Sequence, residues 1–341
     1  MAICLPNSPV NEVAVINLQS KRGWFIAHPN YRVKLAHPSF SPDGRKLALV
    51  VTPPTYFGIS EIWVTSPEGG DAAVIKSEPA RCFMLPVFSR DSARIVCFAE
   101  MLGQGTESGR SYRTGLVHLG LAEVALQARE ITPITETAWS WVSYVGYDRN
   151  DQGFFLRTGE PSDRIVENGV VHWRRSRLDH ENFSERKRGL NAYYIERGKE
   201  PGELPVSVLP RGSSPVARNA PALMGVDSSG RLLYLDNLPN AQSPNGSASA
   251  LLIWNGAEVH QALAPDFASL QDGAISFDGQ VTVGRITRDF IRSESSVPAN
   301  ESTYLIGGLM RDPTLLNIDR DITFDRVRKN ITPVNPSELA R

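Results

Sequence analysis

Residues 40–50 read FSPDGRKLALV: an aromatic residue, a turn-forming Ser-Pro-Asp-Gly stretch, and then an apolar segment. An Asp-Gly pair accepts the positive φ that tight hairpin turns require, and an apolar run with β-branched residues after such a turn is typical of a strand. The stretch therefore predicts a β-hairpin whose first strand ends at Phe40 and whose second strand covers 47–51.

The same pattern returns along the chain. The further copies are FSRDSARIVCF from Phe88, a looser YDRNDQGFFLR from Tyr147, VDSSGRLLYLD from Val226, ISFDGQVTVGR from Ile275 and a degenerate FDRVRKNITPV from Phe324. Phe88 follows Phe40 by 48 residues, and the last three copies are 49 residues apart. Such a period indicates a repeat architecture.

Each hairpin is followed by further strand-like segments. The predicted third strands are SEIWVTS from Ser60, GLVHLGL from Gly115, NAYYIER from Asn191, SALLIWN from Ser249 and STYLIGG from Ser302. The more polar fourth strands include DAAVIKS from Asp71, AREITPI from Ala128 and LPVSVLP from Leu204. Four antiparallel strands per repeat form the blade of a β-propeller.

The two ends of the chain complete the last blade. The copy at Phe324 is too close to the C-terminus to have third and fourth strands of its own, and NEVAVINL from Asn11 and GWFIAHP from Gly23 would supply them. We therefore predict an all-β fold, a six-bladed β-propeller of four-stranded antiparallel blades closed by pairing N- and C-terminal strands. Five or seven blades, or a pair of β-sandwiches, are the alternatives. The single predicted domain, 1–341, divides into blades at about 36–80, 81–135, 136–212 with an insertion at 158–189, 217–265, 266–318, and 319–341 joined to 1–35.

Composition excludes several classes of protein. Lys and Arg total 36 against 37 Asp and Glu, so no general field attracts nucleic acid. No apolar run approaches the ~18 residues of a membrane span, so no membrane insertion is predicted. Three cysteines exclude a disulfide framework and leave one bridge open. The N-terminus does not read as a signal peptide, which predicts a cytoplasmic protein, or a periplasmic one if a native leader precedes it.

The first repeat also carries a family resemblance. FSPDGRKLALV with the downstream SEIWVTSPEGG resembles the repeat of TolB-like propellers. The matching residues are Pro38, Phe40, Ser41, Pro42, Asp43 and Gly44 in one copy and Pro86, Phe88, Ser89 and Asp91 in a second. The resemblance implies a propeller fold shared by partner-binding proteins, by prolyl-oligopeptidase-type peptidases and by oligogalacturonate lyases. The chain has no room for the peptidases' hydrolase domain, and the lyases' histidine cluster has no residue-by-residue match here.

Motifs for catalysis are weak. The sequence has no G-x-S-x-G elbow, no P-loop and no H-E-x-x-H, and we predict no metal and no cofactor. His37, beside the innermost strand of the first blade, is a candidate for the central channel. Trp139 and Trp141 precede the third hairpin, and are interpreted as blade core or as a ligand platform at the channel mouth.

Long connections between second and third strands all project from one face, and long loops are often functional. The insertion is the longest, and it interleaves Arg with aromatic residues, a composition common at protein interfaces, although a solvated mixed-charge loop explains it equally. The predicted binding residues on this face are Tyr56, Phe57, Tyr112, Arg113, Trp173, Arg174, Arg175, Arg177, His180, Phe183 and Arg186.

The function predicted from these observations is a non-catalytic protein–protein interaction module, with a protein partner bound on the face of the long loops. One alternative is a carbohydrate-active enzyme, a lyase or hydrolase, with its site at the central channel. Another is a module that senses a small ligand or a peptide.

Overall fold

The hairpin turns are built by a serine and an aspartate two residues apart. Ser41 Oγ donates to Asp43 Oδ1 at 2.5 Å and accepts the N–H of Lys46 at 2.9 Å, while Asp43 Oδ1 accepts the N–H of Arg45 at 3.0 Å. The same bonds recur in the turns that start at Ser89 and Ser276.

The other two turns place an aspartate at the first position. Asp148 Oδ1 accepts the N–H groups of Asn150 and Gln152, and Asp227 Oδ1 accepts those of Ser229 and Arg231. The fourth turn residue has a positive φ in all five turns: Gly44 (70°), Ser92 (58°), Asp151 (56°), Gly230 (83°) and Gly279 (70°).

A computed structural model gives the architecture of the chain. It describes residues 1–4, 9–53, 60–75, 80–101, 119–139, 142–159, 161–167, 170–174, 191–199, 202–203, 222–239, 247–263, 270–286, 303–308 and 311–334. The first strands of the chain are β1 (Ala2–Ile3), β2 (Glu12–Asn17) and β3 (Arg22–Ala27). None of the described helices is long and apolar enough to cross a membrane.

Five four-stranded antiparallel units follow within the described residues, here called blades 1 to 5. Blade 1 contains β4 (Lys34–Phe40), β5 (Leu47–Thr52), β6 (Glu61–Ser66) and β7 (Gly69–Ile75). Blade 2 contains β8 (Ala80–Phe88), β9 (Arg94–Met101), β10 (Leu119–Ala125) and β11 (Glu130–Trp139). Blade 3 contains β12 (Val142–Tyr147) and β13 (Gly153–Thr158), then, after the hairpin β14 (Pro161–Glu167) and β15 (Val170–Arg174), β16 (Asn191–Glu196) and β17 (Gly202–Glu203).

Blades 4 and 5 have no inserted strands within the described residues. Blade 4 contains β18 (Ala222–Val226), β19 (Leu232–Pro239), β20 (Ser247–Trp254) and β21 (Val259–Leu263). Blade 5 contains β22 (Leu270–Ile275), β23 (Thr282–Ile286), β24 (Thr303–Gly308) and β25 (Arg311–Asn317). After the short helix α1 (Ile318–Asp321) come β26 (Thr323–Phe324) and β27 (Lys329–Val334). The predicted all-β propeller is confirmed.

The N- and C-terminal strands pair with one another, as predicted, in a unit called here the terminal sheet (β1, β2, β3, β26 and β27). β26 and the start of β27 pair in parallel with β3, and β27 then runs in parallel along β7 of blade 1, with Ile331 opposite Gly70.

The order of strands in the terminal sheet corrects the prediction that the copy at Phe324 forms the two inner strands of this blade. The strands of this copy, β26 and β27, pair with the outer side of β3. The strand at the inner edge of the terminal sheet is β1, which pairs with β2 on the side away from β3. Apart from Ile331, β26 and β27 have no buried residue, and the four charged residues of FDRVRKNITPV suit this outer position.

The core consists of apolar layers between neighbouring sheets. One such layer joins blades 2 and 3 around Phe98 and Leu156, and another joins blade 5 to the terminal sheet around Leu316 and Ile16. A further layer joins the terminal sheet to blade 1, and similar layers join the remaining neighbours. The described sheets therefore form a closed ring, and the six-blade count stays a prediction.

Candidate functional site

A bulge bends each inner strand of blades 1 to 5 where it faces the axis of the ring. The register shifts between Ala36 and Ser39 in β4 and between Met84 and Val87 in β8, and β12, β18 and β22 show similar shifts. His37 (φ 48°) and Leu85 (φ 53°) occupy the first two bulges, and each precedes a proline. Bulges re-aim side chains, and these two line the channel.

The channel contains a cavity of about 610 Å³. Its wall includes the apolar side chains of Phe40, Leu85, Phe88, Met224, Ile275 and Phe277. Residues of two of these hairpin turns also line it, Pro42 and Gly44 in one and Ser276 in the other, so the cavity lies at the end of the channel where the turns meet. An apolar concavity with few polar groups is the usual form of a ligand site.

His37 supplies the imidazole of this cavity. Burial lowers the pKa of His37, and the nearby charge of Lys34 lowers it further. The ring is therefore neutral at pH 7, and it offers one donor and one acceptor nitrogen rather than a positive charge.

The turns are linked to one another at the mouth of the cavity. The N–H of Arg90 donates to Asp151 Oδ2 at 3.0 Å, and the Arg90 guanidinium donates to the carbonyl oxygen of Ser228. This guanidinium also lies 5.7 Å from the centre of the Phe277 ring. The N–H of Ser228 donates to the carbonyl of Phe277 at 2.7 Å, so the side chain of Arg90 reaches from blade 2 to blades 4 and 5.

A partly buried group of charges joins blades 2 and 3. Glu123 accepts from both terminal nitrogens of Arg197, at 2.5 and 3.1 Å, and from the Tyr147 hydroxyl at 2.8 Å. Arg94 lies between Glu123, at 3.5 Å, and Asp151, at 3.4 Å. Since each of these described charges is paired with a charge of opposite sign, we interpret the group as a structural clamp that holds the two blades together.

This clamp has no signal in the sequence. Its members come from separate repeats and share no motif, so only the packing of blade 2 on blade 3 brings them together. Burial raises the pKa of Asp151. The hydrogen bond from the N–H of Arg90 and the charge of Arg94 lower this pKa by less, so it remains raised.

The insertion in blade 3, predicted as a long loop, contains the hairpin β14–β15. The structure corrects that prediction: β14 adds to the edge of blade 2, giving the order β15-β14-β11-β10-β9-β8. The junction consists of two residue pairs, Ala138 with Ser162 and Trp139 with Pro161. A sequence signal was present, because Asn168-Gly169, between two apolar runs, is a strong hairpin turn pair.

The predicted binding residues are only partly within the described chain. Trp173 and Arg174 lie in β15. Those outside the described residues are Tyr56, Phe57, Tyr112, Arg113, Trp141, Arg175, Arg177, His180, Phe183 and Arg186.

Trp139 does not face the channel. It is 0% exposed and meets Phe98 edge to face, with ring centroids 5.9 Å apart. Of the two interpretations made from the sequence, the structure shows blade core and not the channel: β11 is the fourth strand of its blade, far from the axis, and the side chain fills the core between blades 2 and 3.

The described part of the chain has neither a disulfide nor a cluster of metal-binding side chains. Cys4, Cys82 and Cys97 are free thiols, so the bridge left open by the sequence is not formed. No group of three or more His, Cys, Asp or Glu side chains among the described residues is placed to hold a metal ion.

Comparison with solved structures identifies the fold. TolB from Acinetobacter baumannii matches with a TM-score of 0.51 and 14% identity over 94% of this chain. The chain has the fold of a β-propeller, similar to that of TolB. The chain spans 61% of the length of that TolB chain. No family model and no curated protein matches the sequence.

Two other matches show how widely this propeller shape is used. A structure of the nidogen–laminin complex matches with a TM-score of 0.52 and 8% identity, over 92% of this chain and 93% of that one. A prolyl endopeptidase structure matches with a TM-score of 0.51 and 14% identity, over 89% of this chain and 46% of that one. At these identities the likeness concerns the fold alone.

Proposed function

We propose that this TolB-like propeller is a protein-interaction module whose partner binds the face carrying the connections between second and third strands. The observation that carries the proposal is the open edge of β15. Within the described residues β15 pairs with β14 on one side, and the backbone groups of its other side have no strand beside them. An extended segment of a partner can add to such an edge through main-chain hydrogen bonds.

The sequence around this edge supports a protein partner. Val170, Val171 and Trp173 have high strand propensity, and Arg174, Arg175 and Arg177 add positive charge along and just after the strand. Trp and Arg are the residue types most enriched among those that dominate binding energy at interfaces. The near-zero net charge of the chain favours a local interface of this kind over general attraction to a polyanion.

The fold is compatible with this role. One of the matched structures is a complex between nidogen and laminin, so a propeller-containing structure of this shape is known in a protein–protein assembly. TolB shares the fold as well.

The test is affinity purification with mass spectrometry on matched variants. The first variant replaces 160–189 with a short Gly-Ser linker, and the second is Trp173→Ala combined with Arg174→Glu. Arg45→Glu is the control, because Arg45 is exposed in a hairpin turn on the opposite face. We expect a partner that the unaltered protein and the control capture and that both variants lose, with thermal unfolding of the point variants unchanged. An identical set of captured proteins across all variants would overturn the proposal.

A further inference from the structure

The channel cavity opens on the face opposite to the proposed partner site, because hairpin-turn residues form its rim. Phe277 lies at this rim with 38% of its surface exposed, although it is a large apolar side chain. A cavity of about 610 Å³ that is continuous with an exposed phenyl ring can take an apolar chain from solvent.

The rim carries the exposed guanidinium of Arg90. It contacts the neutral carbonyl of Ser228 and the ring of Phe277, and it interacts at longer range with the carboxylate of Asp151. A carboxylate is a stronger partner for a guanidinium than a carbonyl, because the hydrogen bond is then charge-assisted on both sides and can be bidentate. Arg90 is itself exposed, so an arriving anion can reach it without the propeller opening.

Burial keeps His37 neutral, and the other polar groups of the wall include the hydroxyls of Ser39, Ser143 and Tyr144. The amino group of Met1 also lines the wall, but it donates to the carbonyl of Ile16 and burial lowers its pKa. The exposed guanidinium at the rim is therefore the cation that an arriving anion reaches first, which favours an orientation with the apolar chain inward and the charge at the rim.

We propose that the cavity binds an amphiphilic carboxylate, with its apolar chain among Phe88, Met224 and Ile275 and its carboxylate on Arg90 in place of the Ser228 carbonyl. Two sources have this chemistry, a fatty carboxylate and the apolar C-terminal end of a peptide. The site is separate from the partner face, so it stands or falls independently of the proposed interaction.

The experiment is isothermal titration calorimetry of the full chain at pH 7 with octanoate and with 1-octanol, which differ in the charged end. We expect octanoate to bind at one site and octanol to bind about tenfold more weakly, the loss expected when one charge-assisted hydrogen bond is removed. Equal binding of the two probes, or binding of neither, would overturn the proposal.

Variants locate the site. Arg90→Gln should lower octanoate affinity to that of octanol, whereas Arg149→Gln should not, since Arg149 occupies the same turn position in blade 3 without a described contact to Phe277. Ala274 lines the cavity, so Ala274→Trp should abolish binding of both probes by filling it. Ala257→Trp, in the exposed turn after β20, is the matched control that should bind normally. Equal effects within either pair of variants would contradict the assignment.

A second pair of probes distinguishes the sources. An acetylated apolar tetrapeptide with a free C-terminal carboxylate is compared with the same peptide as its amide. Tighter binding of the free peptide than of octanoate supports a chain terminus as the ligand, and the reverse order supports a fatty carboxylate. Loss of discrimination between free peptide and amide, together with equal binding of octanoate and octanol, is the outcome that rejects both.

Discussion

The fourth residue of each hairpin turn has the same left-handed conformation but not the same side chain. Glycine takes this conformation freely, whereas a residue with a Cβ loses about 1–2 kcal/mol there. Gly44 and Gly279 have the same φ of 70°, but a Cβ at Gly44 would meet nothing within 4 Å, and one at Gly279 would meet the Arg231–Asp227 ion pair.

Replacing the two glycines separates strain from contact. We expect Gly44→Ala to lower the free energy of unfolding by about 1–2 kcal/mol through backbone strain alone. Gly279→Ala should cost clearly more, because the new methyl group also displaces Arg231 from Asp227. Urea unfolding of both variants measures the difference, and equal losses would show that the ion pair simply moves aside.

Asp151 gives a pH-dependent prediction at the same scale. Its folded-state pKa is raised by burial, so its contribution to stability is present at low pH and is lost as pH rises through that pKa. We expect Asp151→Asn, which tolerates the positive φ and removes the buried charge, to raise the melting temperature at pH 7 and to leave it unchanged at pH 3.

Asp91 is the matched control, because its pKa is shifted in the opposite direction. Hydrogen bonds from Ser89 Oγ, chiefly, and from the N–H of Ala93 lower the pKa of Asp91. Its contribution is therefore present above the ordinary aspartate pKa and is lost as pH falls. Asp91→Asn should lower the melting temperature at pH 7 and have less effect at acid pH. Melting curves from pH 3 to 8 that shift both variants in the same direction would contradict this account.

Among the elements, the strands that follow a turn signal could be predicted from sequence. The Asp-Gly pair at 43–44 and the alternation after it place β4 and β5 within a few residues of their observed bounds. The hairpin β14–β15 carried an equally clear Asn168-Gly169 signal, but its pairing to the edge of blade 2 is a tertiary contact without a local sequence pattern.

The same limit applies to the candidate ligand site. His37 could be placed near the axis because it lies at the first inner strand, just before the Asp-Gly turn. Arg90 could not, since its contact with Ser228 joins residues 138 apart in sequence and depends on how the turns meet around the ring. For Trp139 the sequence left blade core and channel both open, because an aromatic residue fills a core or lines a cavity with the same sequence pattern.

The narrow junction of the inserted hairpin predicts its local stability. β14 meets β11 through two residue pairs, whereas β10 meets β11 through six. Elements with few backbone bonds to the rest of a protein open at low free energy. Hydrogen exchange followed by mass spectrometry should therefore show much faster exchange in 161–174 than in β10, and equal protection of the two segments would contradict it.

For the whole molecule, β27 lies between β3 and β7 and is the strand that joins the terminal sheet to blade 1. Arg328, immediately before β27, pairs with the buried carboxylate of Glu12, and Ile331 within β27 is 0% exposed. Without β27, both neighbouring strands present a free edge, and free edges promote association.

Truncating the chain after Asp325 tests this role. We expect a large drop in melting temperature and concentration-dependent self-association in light scattering, because the edges of β3 and β7 are uncovered. Truncation after Val334 keeps β27 and should behave like the intact chain. A monomeric, equally stable product of the shorter truncation would show that the ring does not depend on β27.

The place of β27 also bears on how the protein is made. The contact between Glu12 and Arg328 joins residues 316 apart. Closing a loop of this length costs conformational entropy early in folding, before the contacts that compensate for it have formed. During synthesis, blades 1 to 5 emerge from the ribosome before β27 does. The nascent chain therefore passes through an open arc with two uncovered strand edges, the stage at which chaperone binding would protect it most.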